Sequence, residues 1–443
     1  MANILRSVGL DVGTTSTQMI LSQLTIENRA SAFSVPELEI SQRKILYKSP
    51  IHFTPLLRGD LVDSDGIRAI VEDEYARAGI TRQEVDTGAI IITGETSRKE
   101  NAAAVLQSLS DFAGDFVVAT AGPDLESALA AKGAGAVEFS AETGQTVLHM
   151  DIGGGTSNLA CIENGQITAT GCMNVGGRLL KFDKSGRIRY ISPVLQGLFD
   201  SRMGDQPTSA QLEALANALV SALEMAAGLR EKTALLDKLW TKEAGPVWQS
   251  PPADAVISFS GGVADCIEKD HPELAFGDIG PILGRAIRKS RLCAHQYRLG
   301  TETIRATVIG AGCHSAQLSG STVFYQNVTL PMKNLPVVTE VAALSGLDGP
   351  GVLALRGSPA AHYRQVLALA DEIVTSWPSG PVLIALEADM AKALGHALAL
   401  RLPAEKPILC LDRVQLGEHS YLDIAAPVGS ALPVVVKTLI LER

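Results

Sequence analysis

A chain of 443 residues is long enough for about two or three domains, each with its own core, and 46% hydrophobic, 19% charged and 5% aromatic residues are the balance of a soluble α/β protein. A net charge of −10 without lysine or arginine clusters excludes nucleic acid as the expected partner. The opening residues lack the basic segment and apolar core of a signal peptide and no run approaches a membrane span, so the cytoplasm is the expected compartment and no membrane is involved.

Residues 4 to 12 and 17 to 24 read as a hairpin, with Asp11, Gly13, Thr14 and Thr15 at its turn. From Glu27 to Asp63 the alternation is interrupted by Pro36, Pro50 and Pro55, which predicts further strands and an inserted loop region. Ser64 is placed to cap a helix that buries Ile67, Ile70, Val71, Tyr75 and Ala78 and stops at Gly79. Ala89 to Thr93 is a buried-type strand, Gly94 to Ser97 a turn, Ala102 to Leu109 a helix and Phe116 to Ala119 the next strand. Strand, helix, strand implies parallel pairing, and ligands bind such sheets at the carboxyl ends of the strands. Glu95, Lys99, Asp124 and Glu126 stand there as candidates, although each one alone is more often a helix-end or solvated charge.

The next stretch, His149 to Asn158, carries the most information. Apolar runs on either side read as strands, so Gly153, Gly154 and Gly155 fall in the turn between them, where bare N–H groups form an anion-binding concavity and Thr156 and Ser157 add hydroxyls. Asp151 at its mouth would repel a phosphate by roughly 3 to 4 kcal/mol at an effective dielectric near 20, which implies a bridging Mg2+. Sliding the N-terminal hairpin onto this one puts Asp11 on Asp151, Gly13 on Gly153, and Ser16 and Thr17 on Thr156 and Ser157, at an offset of 151 − 11 = 140 residues. One such turn is as often an ordinary glycine hairpin; two at domain spacing predict a duplicated α/β unit whose halves clamp one nucleotide. A dinucleotide-binding loop fits poorly, because it has no carboxylate facing the pyrophosphate.

Beyond this hairpin, Arg178 after Gly176 and Gly177 is suited equally to a phosphate and to a surface carboxylate. Thr208 and Gln211 form a capping box for a long helix that buries Leu212, Leu215, Leu219 and Leu223, and Trp240 to Pro252 reads as a loop with exposed aromatics. In Ala255 to Asp265 a buried strand ends in Gly261 and Gly262 and runs into a helix, so backbone and helix N-terminus can approach a phosphate or ribose. Val308 to Ser315, with Gly310 and Gly312, suits a tight helix crossing at a domain hinge. Cys161, Cys172, Cys266, Cys293, Cys313 and Cys410 lack Cys-x-x-Cys spacing and read as reduced thiols; Cys293 with His295, or Cys313 with His314, falls short of a four-ligand metal set. Past Asn327 a separate α/β unit is predicted, with strands at Val382 to Leu386, Ile408 to Leu411 and Val434 to Leu441, a helix at Ala391 to Leu400, and a partner interface rather than a catalytic constellation.

Taken in order, Gly9 to Thr15, Asp151 to Thr156, Ser260 to Ala264 and Gly310 to Gly312 resemble the two phosphate motifs, the adenosine motif and the second connecting segment of the actin, heat-shock chaperone and sugar kinase superfamily. The resemblance implies an actin-like ATPase fold: two duplicated ribonuclease-H-like domains, 1–145 (with an insertion near 27–63) and 146–326, flanking a nucleotide cleft, with a C-terminal α/β region at 327–443. Within that superfamily, Ile92 to Thr96, Arg98 to Asn101 and Ala121 to Ser127 make the chain similar to the EutA family of ethanolamine ammonia-lyase reactivating factors. That family implies ethanolamine catabolism, ATP/ADP and Mg2+ as cofactors, and release of damaged cobalamin from the lyase, with cobalamin met through the lyase. A homodimer and a bacterial microcompartment remain open on the same grounds.

The resemblance further implies that Gly13, Thr14, Thr15, Gly153, Gly154, Gly155 and Thr156 hold the β- and γ-phosphates, and that Asp11 and Asp151 hold Mg2+ through water. Gly261, Gly262, Val263 and Gly310 would line the nucleoside side. Related proteins carry a Glu-Pro pair whose glutamate positions the attacking water; Gly122-Pro123 stands here, leaving Asp124 or Glu126 to substitute, with Glu126 grouped with Asp11 and Asp151, or hydrolysis slow. A weak Mg-dependent ATPase acting as a reactivase is thus expected, against a small-molecule kinase of the same fold or a nucleotide-dependent scaffold or filament.

Overall fold

The computed structural model describes residues 3–13, 16–28, 38–57, 61–93, 105, 116–120, 122–241, 251–252, 254–294, 296–314, 316–318, 323–347, 349–358, 362–378, 380–414, 420–424, 427 and 432–438. Thr14, Thr15, Glu95, Lys99, His295 and Trp248 lie outside them, as does the helix expected from Ala102 to Leu109 apart from Val105.

The first sheet is built from β1 (Asn3–Val12), β2 (Ser16–Asn28), β3 (Leu38–Lys48), β4 (His52–Phe53), β5 (Thr87–Ile92) and β6 (Phe116–Thr120). Its order is β3-β2-β1-β5-β6, with β4 beside β2; β3, β2 and β1 pair antiparallel, and β5 and β6 add in parallel. The second sheet uses β7 (Val147–Ile152), β8 (Ser157–Glu163), β9 (Gln166–Met173), β12 (Val256–Ser260) and β13 (Tyr297–Leu299), with the small hairpin β10 (Leu180–Phe182) and β11 (Ile188–Ile191) outside it. Its order, β9-β8-β7-β12-β13, repeats the first sheet strand for strand and direction for direction. Two sheets of identical order, each opened by an Asp-bearing hairpin, make this the duplicated actin-like ATPase fold.

Each sheet is fixed by its apolar pattern. In β7 every residue is buried, as a central strand covered on both faces requires, and Leu148, Met150, Ile152 and Phe259 sit at the heart of the second domain's core. Each such side chain contributes roughly 1.5 to 3 kcal/mol of burial. Helix Ser64–Ala78 forms as expected, but its cap is Asp63, whose Oδ1 accepts from the N–H groups of Asp65 and Gly66 at 3.1 Å. Thr208 and Gln211 form the predicted box on helix Ser209–Ala226.

The two domains are joined by two helices. Pro123–Gly133 packs on β7, β8 and β9, and Ala306–His314 packs on β1, β2 and β5. They cross so closely that a Cβ on Gly133 would lie 1.8 Å from the Ala306 carbonyl oxygen, and one on Gly310 would lie 2.0 Å from that of Leu129.

A third, eight-stranded sheet comprises β14 (Ala316–Leu318), β15 (Phe324–Gln326), β16 (Met332–Val338), β17 (Val352–Leu355), β18 (Val382–Leu386), β19 (Ile408–Leu411), β20 (Ser420–Ile424) and β21 (Pro433–Thr438). It begins upstream of the boundary expected at 327, because β14 pairs with β21 and closes the sheet's edge. Among the described residues, no helix is long and apolar enough to cross a membrane.

Candidate functional site

The site grows out of the two equivalent hairpins. In each, the aspartate is the penultimate residue of the first strand, and the turn closes with the same backbone bond: Gly13 N–H to the Ser16 carbonyl at 2.9 Å, Gly153 N–H to that of Thr156 at 2.9 Å. The first turn is braced by Thr54, whose hydroxyl donates to the Gly13 carbonyl at 2.7 Å. The second is braced by the segment after β9, since Gly177 and Arg178 donate their N–H groups to the carbonyls of Gly153 and Gly154. With those carbonyls drawn backwards, Gly155 is exposed and a Cβ there would meet nothing within 4 Å. The turn thus presents bare, exposed backbone of the kind an anion can approach.

The aspartates receive matching support from the parallel strand beside them. Thr93, following β5, donates its hydroxyl to Asp11 Oδ1 at 2.8 Å, and Ser260, ending β12, donates to Asp151 Oδ1. Behind Ser260 stands His149, buried between Ser258 (3.1 Å to Nδ1) and Ser260 (2.9 Å to Nε2). Burial, followed by the charge of Arg298, lowers its pKa to about 3, so the ring is neutral. Because Ser260 gives its proton to Asp151, it accepts from His149 Nε2–H, and Nδ1 accepts from Ser258. The result is a buried chain that orients the Asp151 carboxylate.

Desolvation raises the Asp11 carboxyl to about 7 against the lowering bond from Thr93, with the charge of Asp151 adding to the rise. Asp151 is raised to about 6 by desolvation, against the bond from Ser260. The two carboxylates therefore share one electrostatic environment in which, among the described residues, no basic side chain offsets their charge, which suits a divalent cation. Two buried acceptors point the same way: Gln18 Oε1 and Asn158 Oδ1 have no hydrogen-bond partner, and these residues pair directly across the hairpins from Asp11 and Asp151. All these groups are oxygen acceptors, the donor set that Mg2+ and its water shell prefer.

The remaining expected residues divide clearly. Gly261 has φ +86 and its Cβ would lie 2.3 Å from the Ile152 carbonyl oxygen, so only glycine fits; Gly262 beside it faces Ile304 with room to spare. Val263 has its side chain in the second domain's core, and its N–H donates to the Ile152 carbonyl at 3.1 Å. The helix after it, Asp265–Glu268, is a single turn, so the expected helix N-terminus contributes little. Gly310 lies at the buried helix crossing, where it permits close approach rather than offering a surface to a ligand. Arg178 resolves toward a carboxylate: its Nε is 3.3 Å from Asp278 Oδ2. Asp124 accepts from the Thr170 hydroxyl at 2.5 Å and ties the linking helix to β9, while Glu126 is in that helix's first turn and half-buried. None of the six cysteines forms a disulfide, and among the described residues no cluster of three metal-ligating side chains occurs.

Thr93, Ser260, His149, Gln18 and Asn158 were not singled out as site residues from the sequence. For the carboxamides a signal existed, since each follows its aspartate by the same interval and 158 − 18 repeats the offset of 140. For Thr93 the partner depends on parallel register across 82 residues, which local pattern does not reveal.

The family model described as "Ethanolamine utilisation protein EutA" matches residues 3–348 and 340–442. The ethanolamine ammonia-lyase reactivase EutA of Salmonella typhimurium is 38% identical over 98% of this chain and 98% of its own, and that of Escherichia coli is 37% identical over the same shares. Among solved structures, the ethanolamine utilization protein EutJ from Carboxydothermus hydrogenoformans is 17% identical with a TM-score of 0.36, covering 69% of this chain and 88% of that one.

Proposed function

The chain belongs to the EutA family of ethanolamine utilisation proteins, and from that premise we propose that it is an ATP-dependent reactivase that frees ethanolamine ammonia-lyase of damaged cobalamin. The observation that carries this reading is the doubled clamp: two aspartates, each at a phosphate-accepting turn and each oriented by a hydroxyl from the neighbouring strand.

In this reading the Gly13 turn and the Gly153–Thr156 turn bind the β- and γ-phosphates from opposite sides, with Thr14 and Thr15 adding hydroxyls. Asp11 and Asp151 would hold Mg2+ through water, and the metal supplies charge neutralisation between the carboxylates and the phosphates. Gly261 and Gly262 give the nucleoside side of the cleft a backbone-only wall. Glu126, in the first turn of the linking helix, would be the carboxylate that orients water, while Asp124 accepts from Thr170. Without the Glu-Pro pair of related proteins, slow hydrolysis follows, which suits a switch better than a fast enzyme.

Work on the lyase comes from closure. Contacts to the γ-phosphate exist only before hydrolysis, so ATP and ADP favour different angles between the domains, and moving that equilibrium from 1:99 to 99:1 needs about 5.5 kcal/mol of differential binding. Several charge-assisted hydrogen bonds and a metal are of that order. In this reading cobalamin would be met only through the lyase. The test is the fate of phosphate: Mg-ATP with the lyase is expected to yield free phosphate, abolished by Asp151→Asn with the fold intact. Phosphate transferred to a small-molecule acceptor would contradict the proposal and indicate a kinase.

A further inference from the structure

The duplication places a carboxamide beside each aspartate. Gln18 stands opposite Asp11 in the β1–β2 register, and Asn158 stands opposite Asp151 in the β7–β8 register. Directly paired residues project on the same face of a sheet with their Cβ atoms about 5 Å apart, so each carboxamide shares its aspartate's environment. Both residues are buried, with 4% and 2% of their surface exposed, and in both the side-chain oxygen lacks a partner. A buried acceptor without a donor is destabilising and rare, and finding the same defect at two equivalent positions points to an occupant rather than to chance.

The chemistry of that occupant follows from what an oxygen can accept. A carboxamide oxygen and a carboxylate are both acceptors, so a phosphate oxygen satisfies neither; water or a cation satisfies both. In Gln18 the Nε2 donates to the Ile304 carbonyl at 3.4 Å, which leaves Oε1 as the atom without a partner. Mg2+ retains several waters in its octahedral shell, and those waters need acceptors arranged around them.

We infer that Gln18 and Asn158 complete the metal site, their side-chain oxygens accepting from the water shell of the Mg2+ that Asp11 and Asp151 hold. The inference rests on the reading of the cleft as a Mg-nucleotide site. It makes the two carboxamides positioning residues for the metal and assigns each half of the duplicated fold one carboxylate and one amide oxygen.

The test uses the full chain, thermal melting and titration calorimetry, with ADP as the probe, in Mg2+ and in EDTA. In Gln18→Leu/Asn158→Leu, the metal-free protein is expected to melt near the wild-type temperature, because removal of two unsatisfied acceptors offsets loss of the 3.4 Å bond from Gln18 to the Ile304 carbonyl. The melting shift produced by Mg-ADP is expected to shrink, with Mg-ADP affinity at least about ten-fold weaker and ADP affinity in EDTA unchanged. Asn158→Asp, which retains an oxygen and adds charge, is expected to keep the metal dependence while lowering metal-free stability, and it serves if the double variant does not fold. Equal losses of ADP affinity with and without Mg2+ would overturn the inference, as would an unchanged metal dependence in the double variant, or its loss in Asn158→Asp. A lower metal-free melting temperature with the Mg-ADP shift intact would also overturn it, by indicating ordinary structural water. Absence of any Mg-ADP shift in the wild type would instead remove the Mg-nucleotide reading itself, and this inference with it.

Discussion

Asp11 and Asp151 carry carboxyls that burial lifts to about 7 and about 6, and that single property gives the metal-free protein a pH signature. A carboxyl raised in the folded state stabilises folding fully below its unfolded value of 3.8, and that contribution is lost as pH rises through the folded values. Metal-free melting temperature is therefore expected to fall between about pH 4 and pH 7, with Mg-nucleotide flattening the decline by favouring the ionised forms. Thermal melts across this range, with and without Mg-ADP, measure it; a metal-free protein that grows more stable over the same interval would contradict the assignment. Ser260 lowers the Asp151 pKa by donating to it, so Ser260→Ala is expected to move ionisation of Asp151 upward and weaken Mg-dependent nucleotide binding most at low pH. Carboxylate signals followed by NMR titration give the direct readout. At this scale the aspartates and bare glycines were legible because they repeat at a fixed offset. Arg178 was not, since Asp278 lies 100 residues away and only the folded chain brings it to 3.3 Å.

The elements that position the site are hairpins, and hairpins are local, which is why β1, β2, β7 and β8 could be read from alternation and turn residues. Helix ends were less legible: Ser64 and Asp63 are both good caps, and the backbone uses the one whose oxygen reaches two N–H groups. The linking helices show the same limit in reverse, because small residues at Gly310 and Gly312 announce a close crossing without naming the partner, here Gly133 with Leu129 on one side and Gly9 on the other. A methyl group at Gly310 would meet the Leu129 carbonyl oxygen at 2.0 Å, and neither backbone can retreat without moving a domain. Gly310→Ala is accordingly expected to cost about 3 kcal/mol or more by overpacking, read as a lower midpoint in urea unfolding. Ile309→Val, one residue away and without that contact, is expected to cost about 1 kcal/mol. Equal stability of Gly310→Ala and wild type would show that the crossing is looser than its geometry states.

For the whole molecule, duplication is the organising fact. Two sheets of the same strand order give each domain an equivalent turn, aspartate and hydroxyl donor, with the two aspartates near enough for the charge of Asp151 to act on Asp11. The domains also touch directly, through Lys48 with Glu302, Arg305 Nη2 with the Ser49 carbonyl at 2.9 Å and Gln18 with the Ile304 carbonyl. The duplication and the presence of a third α/β unit were legible from sequence. The upstream start of that unit was not, because β14 is three residues long and is defined by its pairing with β21 more than a hundred residues later. The central claim is that the doubled aspartate clamp drives reactivation, and one measurement meets it head on: Mg-ATP-dependent recovery of ethanolamine ammonia-lyase inactivated with an adenine-lacking cobalamin, comparing the wild type with Asp11→Ala. Recovery by the wild type and none by the variant is the expected result. Full recovery by a folded Asp11→Ala protein would contradict the clamp, and no recovery by a wild type that still binds Mg-ATP would contradict the reactivase reading.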